Sequence, residues 1–153
     1  MRLTDFTDYS LRVLIYLASH TDRLVTIQEI ATSHGISKSH LTKVVHQLGL
    51  AGLVDTLRGR AGGIRLARAP GDIGIGQVVR LTEPDLSFVA CFDPGHTLCM
   101  LAGDCALKHA IGSAAQAFLA ELDRKTLADM VPLRGKDGIA GRDRSITITA
   151  RAA

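Results

Sequence analysis

Cys91, Cys99 and Cys105 are the only cysteines in the 153-residue chain, and they fall within fifteen residues of one another. Seven residues separate the first two and five the second two. No Cys-x-x-Cys is present, so this is not zinc-finger spacing. An odd, clustered set with no export signal also fits poorly with a disulfide framework. Three loosely spaced thiolates in one loop suit an iron–sulfur cluster with a fourth ligand from elsewhere. Cys105 stands where a helix is expected to begin, and the helix dipole there favours thiolate over thiol. The residues leave the fourth ligand open among His96, His109, Asp104 and Asp8. A zinc site closed by His96 and a metal-free thiol that oxidises reversibly are the competing chemistries.

Positioning such a loop needs a scaffold, and the first half of the chain has a distinctive one. Leu3 to Ser19 reads as a helix, with Leu11, Leu14, Ile15 and Ala18 at helical spacing and Thr4 or Thr7 as its cap. His20 to Val25 reads as a polar link. Thr26 and Glu29 match a capping box opening a short helix to about Ser33. Gly35 supplies a turn. Ser37 caps a second helix to about Leu48, with Leu41, Val44, Val45 and Leu48 inward. Two short helices across a glycine turn, with small Ala31 at the crossing, form a helix-turn-helix.

Two short strands follow, Leu53 to Leu57 and Ile64 to Arg68, around the loop Arg58-Gly59-Arg60-Ala61-Gly62-Gly63. A basic hairpin after a helix-turn-helix is a wing, whose glycines allow close backbone approach and whose arginines can enter a minor groove. Charge agrees. Residues 1–70 hold nine Lys/Arg against five Asp/Glu, whereas residues 71–153 hold nine against ten. Thr26 and Gln28 are placed to meet phosphates at a helix N-terminus. Ser37, Ser39, His40 and Lys43 lie on or near the exposed face of the recognition helix, and Arg58 and Arg60 at the wing tip.

Ile73 to Leu81 suggests another short helix. A long helix is expected from Cys105 to about Met130, capped by Asp104. Its stripe of Leu107, Ile111, Ala114, Phe118 and Leu122 suggests pairing with a second copy. From Pro132 onward periodicity is low and a mobile tail is expected, with Ser145 to Thr149 a possible strand. The fold class is therefore mainly α: a winged helix-turn-helix domain over 1–82 with its wing at about 53–68, a cysteine loop and dimerisation helix over 83–131, and a tail over 132–153.

Composition excludes several classes. Hydrophobic residues are 46% and charged residues 22%, which is ordinary for a globular chain and argues against global disorder. No apolar run is long enough to span a bilayer, and the N-terminus has no secretory core, so a cytoplasmic protein is expected. No Walker loop, Gly-x-Ser-x-Gly elbow or His-Glu-x-x-His is present, and an enzyme is not expected.

The opening MRLTDFTDYSLRVLIYLA resembles that of the Rrf2-type winged-helix regulators, the family with nitric-oxide-sensing (NsrR) and iron–sulfur-supply (IscR) branches. The wing segment Leu57 to Leu66, the three-cysteine loop, Ala117 to Leu122 and Thr126 to Asp129 are similar as well, so the resemblance spans about 1–131. It implies a homodimeric repressor on palindromic double-stranded DNA, each cluster near the base of a long dimerisation helix. The supply branch uses a histidine three residues after the third cysteine. Here that position is Lys108, and His109 is one residue out of register. The nitric-oxide branch carries an aspartate matching Asp8, which ligates the cluster of the partner subunit, followed by Arg12. Asp8 and Arg12 are both present, and this branch is favoured. The implied ligands are Cys91, Cys99, Cys105 and Asp8 of the partner subunit, with Arg12 coupling. The implied cluster is 4Fe-4S in preference to 2Fe-2S and is lost in air. The first cysteine gap is about two residues longer than usual, with Pro94 and Gly95 inside it. An iron-status regulator of the same family and a thiol redox sensor are the alternatives.

Overall fold

The structure, a computed structural model, describes residues 2–86, 89, 92 and 105–131. The order is α1 (Asp5–Ala18), α2 (Ile27–His34), α3 (Lys38–Leu50), β1 (Val54–Leu57), β2 (Gly63–Leu66), a single 3-10 turn (Pro70–Asp72), α4 (Ile75–Thr82), α5 (Ala106–Asp123) and α6 (Leu127–Met130). This is a winged helix-turn-helix.

Local chemistry sets the boundaries. Thr4 caps α1, its hydroxyl oxygen accepting from the Thr7 amide at 3.3 Å. Glu83, just past α4, accepts from the Thr4 amide at 2.8 Å and ties the start of α1 to the end of α4. Gly35 closes α2 at φ +63°, a left-handed conformation that a Cβ would penalise. Ser37 opens α3 by accepting from the His40 amide at 3.4 Å.

The core lies where α1, α2 and α3 cross. Val13, Leu14 and Leu17 of α1 meet Ile30 and Ala31 of α2 and Leu41, Val44, Val45 and Leu48 of α3, all buried. Each fully buried aliphatic side chain contributes about 1.5–3 kcal/mol relative to exposure.

The wing pairs antiparallel in the register Val54↔Leu66, Asp55↔Arg65, Thr56↔Ile64 and Leu57↔Gly63. Val25, read from sequence as part of a link, adds a third rung: its amide donates to the Ile64 carbonyl at 3.0 Å and its carbonyl accepts from the Ile64 amide at 2.8 Å. A Cβ on Gly63 would lie 2.8 Å from the Val25 carbonyl oxygen, so close backbone approach requires glycine there.

The long helix expected over 105–130 ends at Asp123. The chain then turns back because its backbone pairs with the segment before α4. The Ile75 amide donates to the Lys125 carbonyl at 2.9 Å, and the Leu127 amide to the Ile73 carbonyl at 2.8 Å. A new capping box starts α6, with Asp129 Oδ2 accepting from the Thr126 amide at 2.7 Å. The expected cap also differs: the N-cap position of α5 is Cys105, not Asp104, and its side chain makes no capping hydrogen bond. Arg80 and Asp123 clamp α4 to α5 through paired hydrogen bonds of 2.5 and 2.6 Å. No residue of α5 is fully buried, and Leu107 is 67% and Phe118 37% exposed. No helix among the described residues is long and apolar enough to cross a membrane.

Candidate nucleic-acid interface and cluster site

Thr26, Gln28, Ser37, Ser39, His40, Lys43, Arg58 and Arg60 are all exposed. Thr26 and Ser37 accept from helix amides, and the Ser37 hydroxyl also shares a 3.2 Å hydrogen bond with that of Ser39. Gln28 leans on its own helix, its amide nitrogen donating to Thr32 Oγ1 at 3.4 Å. With Leu41, Val44, Val45 and Leu48 buried, the outer face of α3 carries Ser39 and Lys43, four residues apart. Thr42 and His46 share that face and are missing from the sequence candidates. Their spacing from Ser39 was the available signal.

The four arginines of the wing region divide by what they already bind. Arg65 pairs across the hairpin with Asp55 at 3.6 Å. Arg68 donates to the carbonyls of Gly52 and Ala51 at 3.1 and 3.3 Å, capping the C-terminal end of α3. Arg58 and Arg60 have no ion pair among the described residues. The turn between them passes through Gly59 at φ +116°. Two guanidiniums are thus built into the fold and two are left at the tip.

Behind the helix-turn-helix, α1 carries a line of polar and aromatic side chains. Asp8 Oδ2 accepts from Arg12 Nε at 2.9 Å, and both side chains are about half exposed. This pair acts on His34, at the end of α2. Burial holds the His34 imidazole below its ordinary range, Arg12 lowers it further, and Asp8 opposes them. Its Nε2 is buried with no hydrogen-bond partner among the described residues. Tyr16 meets the His34 ring edge-on at 5.7 Å and donates to Glu29 Oε1 at 2.9 Å. Arg23 binds the same carboxylate with both terminal nitrogens, at 2.5 and 3.1 Å. One turn before Arg12, Tyr9 stacks on His40 of α3, centroids 6.4 Å apart and planes 24° from parallel.

The Arg23 hydrogen bonds, with help from Tyr16 and the Thr26 backbone, hold Glu29 at about 2, below its ordinary 4.5. A lowered folded value means that the stabilisation is complete above about 4.5 and is lost as pH falls towards 2. Melting temperature should therefore drop on acidification across that window, and Glu29→Gln should flatten part of the drop. A Glu29→Gln chain with the wild-type acid profile would show that the pair contributes nothing.

Of the cluster candidates, Cys105 is placed at the N-terminus of α5, half-buried and free. His109 lies one turn further along the helix. Cys91, Cys99, His96 and Asp104 lie outside the described residues, as does the tail. Phe92, the neighbour of Cys91, stands against α5: a Cβ on Gly112 would be 3.7 Å from its Cζ. Asp8 lies on α1 of the same chain as Arg12, in a position open to solvent.

A family model described as Rrf2, iron-dependent transcriptional regulator, matches residues 3–132. The HTH-type transcriptional regulator NsrR of Bacillus subtilis (strain 168) is 52% identical over 132 residues, covering 86% of this chain and 90% of that one. Among solved structures, T. potens IscR superposes with a TM-score of 0.69 at 29% identity, covering 85% of each chain. CymR (YrzC), the global cysteine regulator of B. subtilis, superposes with a TM-score of 0.70 at 26% identity, covering 85% of this chain and 95% of that one.

Proposed function

Because the chain belongs to the Rrf2 family and is a transcriptional regulator rather than an enzyme, we propose that it is a homodimeric repressor whose hold on DNA is set by an iron–sulfur cluster sensitive to nitric oxide. Residues 1–82 bind DNA, and residues 83–131 hold the cluster and pair the subunits. The exposed apolar surface of α5 supports the dimer, with Leu107 67% exposed near its start. Thr26, Gln28, Ser37, Ser39, His40 and Lys43 meet phosphates and bases in the major groove, and Arg58 and Arg60 enter the minor groove. Two-fold symmetry calls for a palindromic site with half-sites about 34 Å apart, or a multiple of that.

Cys91, Cys99 and Cys105 are the thiolate ligands, and Asp8 of the partner subunit is the fourth. The described part of the donor set fits: a free thiol at a helix N-terminus and a carboxylate open to solvent. Phe92 against α5 brings the sequence neighbour of Cys91 to the helix that begins at Cys105. When bound, the cluster supplies iron that nitric oxide can attack.

The observation that carries the sensing reading is the position of Asp8. Its carboxylate has a local alternative partner in Arg12, and the pair sits close enough to His34 to act on α2. A carboxylate that exchanges between a metal in one subunit and Arg12 in its own can shift α1 against the helix-turn-helix, giving two states with different affinity for DNA. Asp8→Ala removes only an exposed ion pair, worth about 0–1 kcal/mol, so the fold should persist. DNA release on nitric-oxide titration should be lost or blunted in that variant. Unchanged sensitivity would overturn the role of Asp8. The description of the family model as iron-dependent favours a second reading, in which the same ligands report iron or cluster supply. That reading predicts DNA binding that follows cluster loading and ignores nitric oxide.

A further inference from the structure

We infer that Tyr9 is a positioning residue for DNA recognition: its ring, stacked on His40, fixes that imidazole on the DNA-facing end of α3. The inference rests on α3 being the recognition helix, as proposed above. Tyr9 is half-buried and packs against the core, in line with Phe6 and Val13 on the inner side of α1. The ring is therefore held from behind. His40 is exposed and in the first turn of α3, its amide bound to Ser37 Oγ. The 6.4 Å separation and 24° tilt describe an offset stack.

An exposed histidine ordinarily samples several rotamers and loses that freedom on binding. A ring already held in one orientation avoids part of this cost, so the stack raises affinity without Tyr9 itself touching DNA. The effect should be selective. A correctly oriented imidazole matters where it meets a particular base or phosphate, and matters little where the protein binds any duplex through net charge.

The test uses the full chain, loaded with cluster under anaerobic conditions. A duplex enriched from a randomised pool by the wild-type protein is compared with a scrambled duplex of equal length. Tyr9→Leu should weaken binding to the enriched duplex roughly three- to ten-fold and leave the scrambled duplex nearly unchanged. Tyr9→Phe, which keeps the ring, should bind as wild type. The double variant Tyr9→Leu/His40→Ala should be no weaker than His40→Ala alone, because the stack acts only through His40. Equal losses on both duplexes would assign Tyr9 a purely structural role and overturn the inference, as would additive losses in the double variant. A Tyr9→Phe chain as weak as Tyr9→Leu would place the effect in the hydroxyl and overturn it too. A wild-type protein that enriches no duplex would overturn the DNA reading itself, and this inference with it.

Discussion

Cys105→Ala should leave the fold standing and abolish cluster assembly. Cys105 occupies the N-cap of α5 without forming a capping hydrogen bond, and it is only half-buried. Truncating its side chain disturbs neither the packing of α1–α3 nor a satisfied polar group. An uncapped N-cap exchanged for alanine should change stability by less than about 1 kcal/mol. The expected loss is therefore chemical. Iron and acid-labile sulfide should fall to background, visible absorbance should vanish, and DNA affinity should match that of the cluster-free wild type. Circular dichroism and the melting temperature of the variant should stay near those of the cluster-free wild type. A Cys105→Ala chain that retains full iron and sulfide would remove Cys105 from the ligand set.

The second large effect is expected from Arg58→Ala with Arg60→Ala. The hairpin does not need these side chains, since its register comes from backbone pairing and from Arg65 with Asp55. Both arginines stand exposed on a turn shaped by Gly59, with no ion pair among the described residues. If they enter a minor groove, the double variant withdraws two cations from the phosphate backbone. The slope of log affinity against log salt should flatten by roughly 0.9 for each phosphate that is no longer neutralised. Affinity at moderate salt should fall by about one to two orders of magnitude, with unchanged melting temperature. Arg65→Ala is the contrast: it should mainly perturb the hairpin and alter the salt slope less. A double variant with the wild-type slope would take the wing tip off the DNA.

The helix-turn-helix was legible because its signals are local. Thr26, Gly35 and Ser37 act on amides and torsions within a few residues of themselves, and they stand in the structure as caps and turn. The wing was legible for the same reason, with glycines marking the turn between two short strands. What the sequence concealed depends on distant partners. Val25 contributes one residue to the sheet, too little to show alternation. The break after Asp123 lies within an apolar pattern running from Leu107 through Leu122 to Leu127, and its cause is pairing with residues 73–75. Thr126 with Asp129 was the local clue, a capping box inside the expected helix. At the candidate site, residue types indicated which side chains could act and not how they are arranged. Nothing about Glu29 in sequence says that Arg23 and Tyr16 will claim its carboxylate. Nor do Tyr9 and His40, thirty-one positions apart, announce a stack.

The proposed dimer holds an iron–sulfur cluster and grips DNA in a manner that nitric oxide releases. The direct measurement is an anaerobic absorbance spectrum with iron and sulfide analysis, on protein bound to its enriched duplex, followed by nitric-oxide titration. The expected result is a brown complex that bleaches as nitric oxide is added and releases its DNA over the same range. A brown complex that keeps its DNA would contradict nitric-oxide sensing and favour regulation by iron supply. A colourless protein after strictly anaerobic reconstitution would contradict the cluster itself.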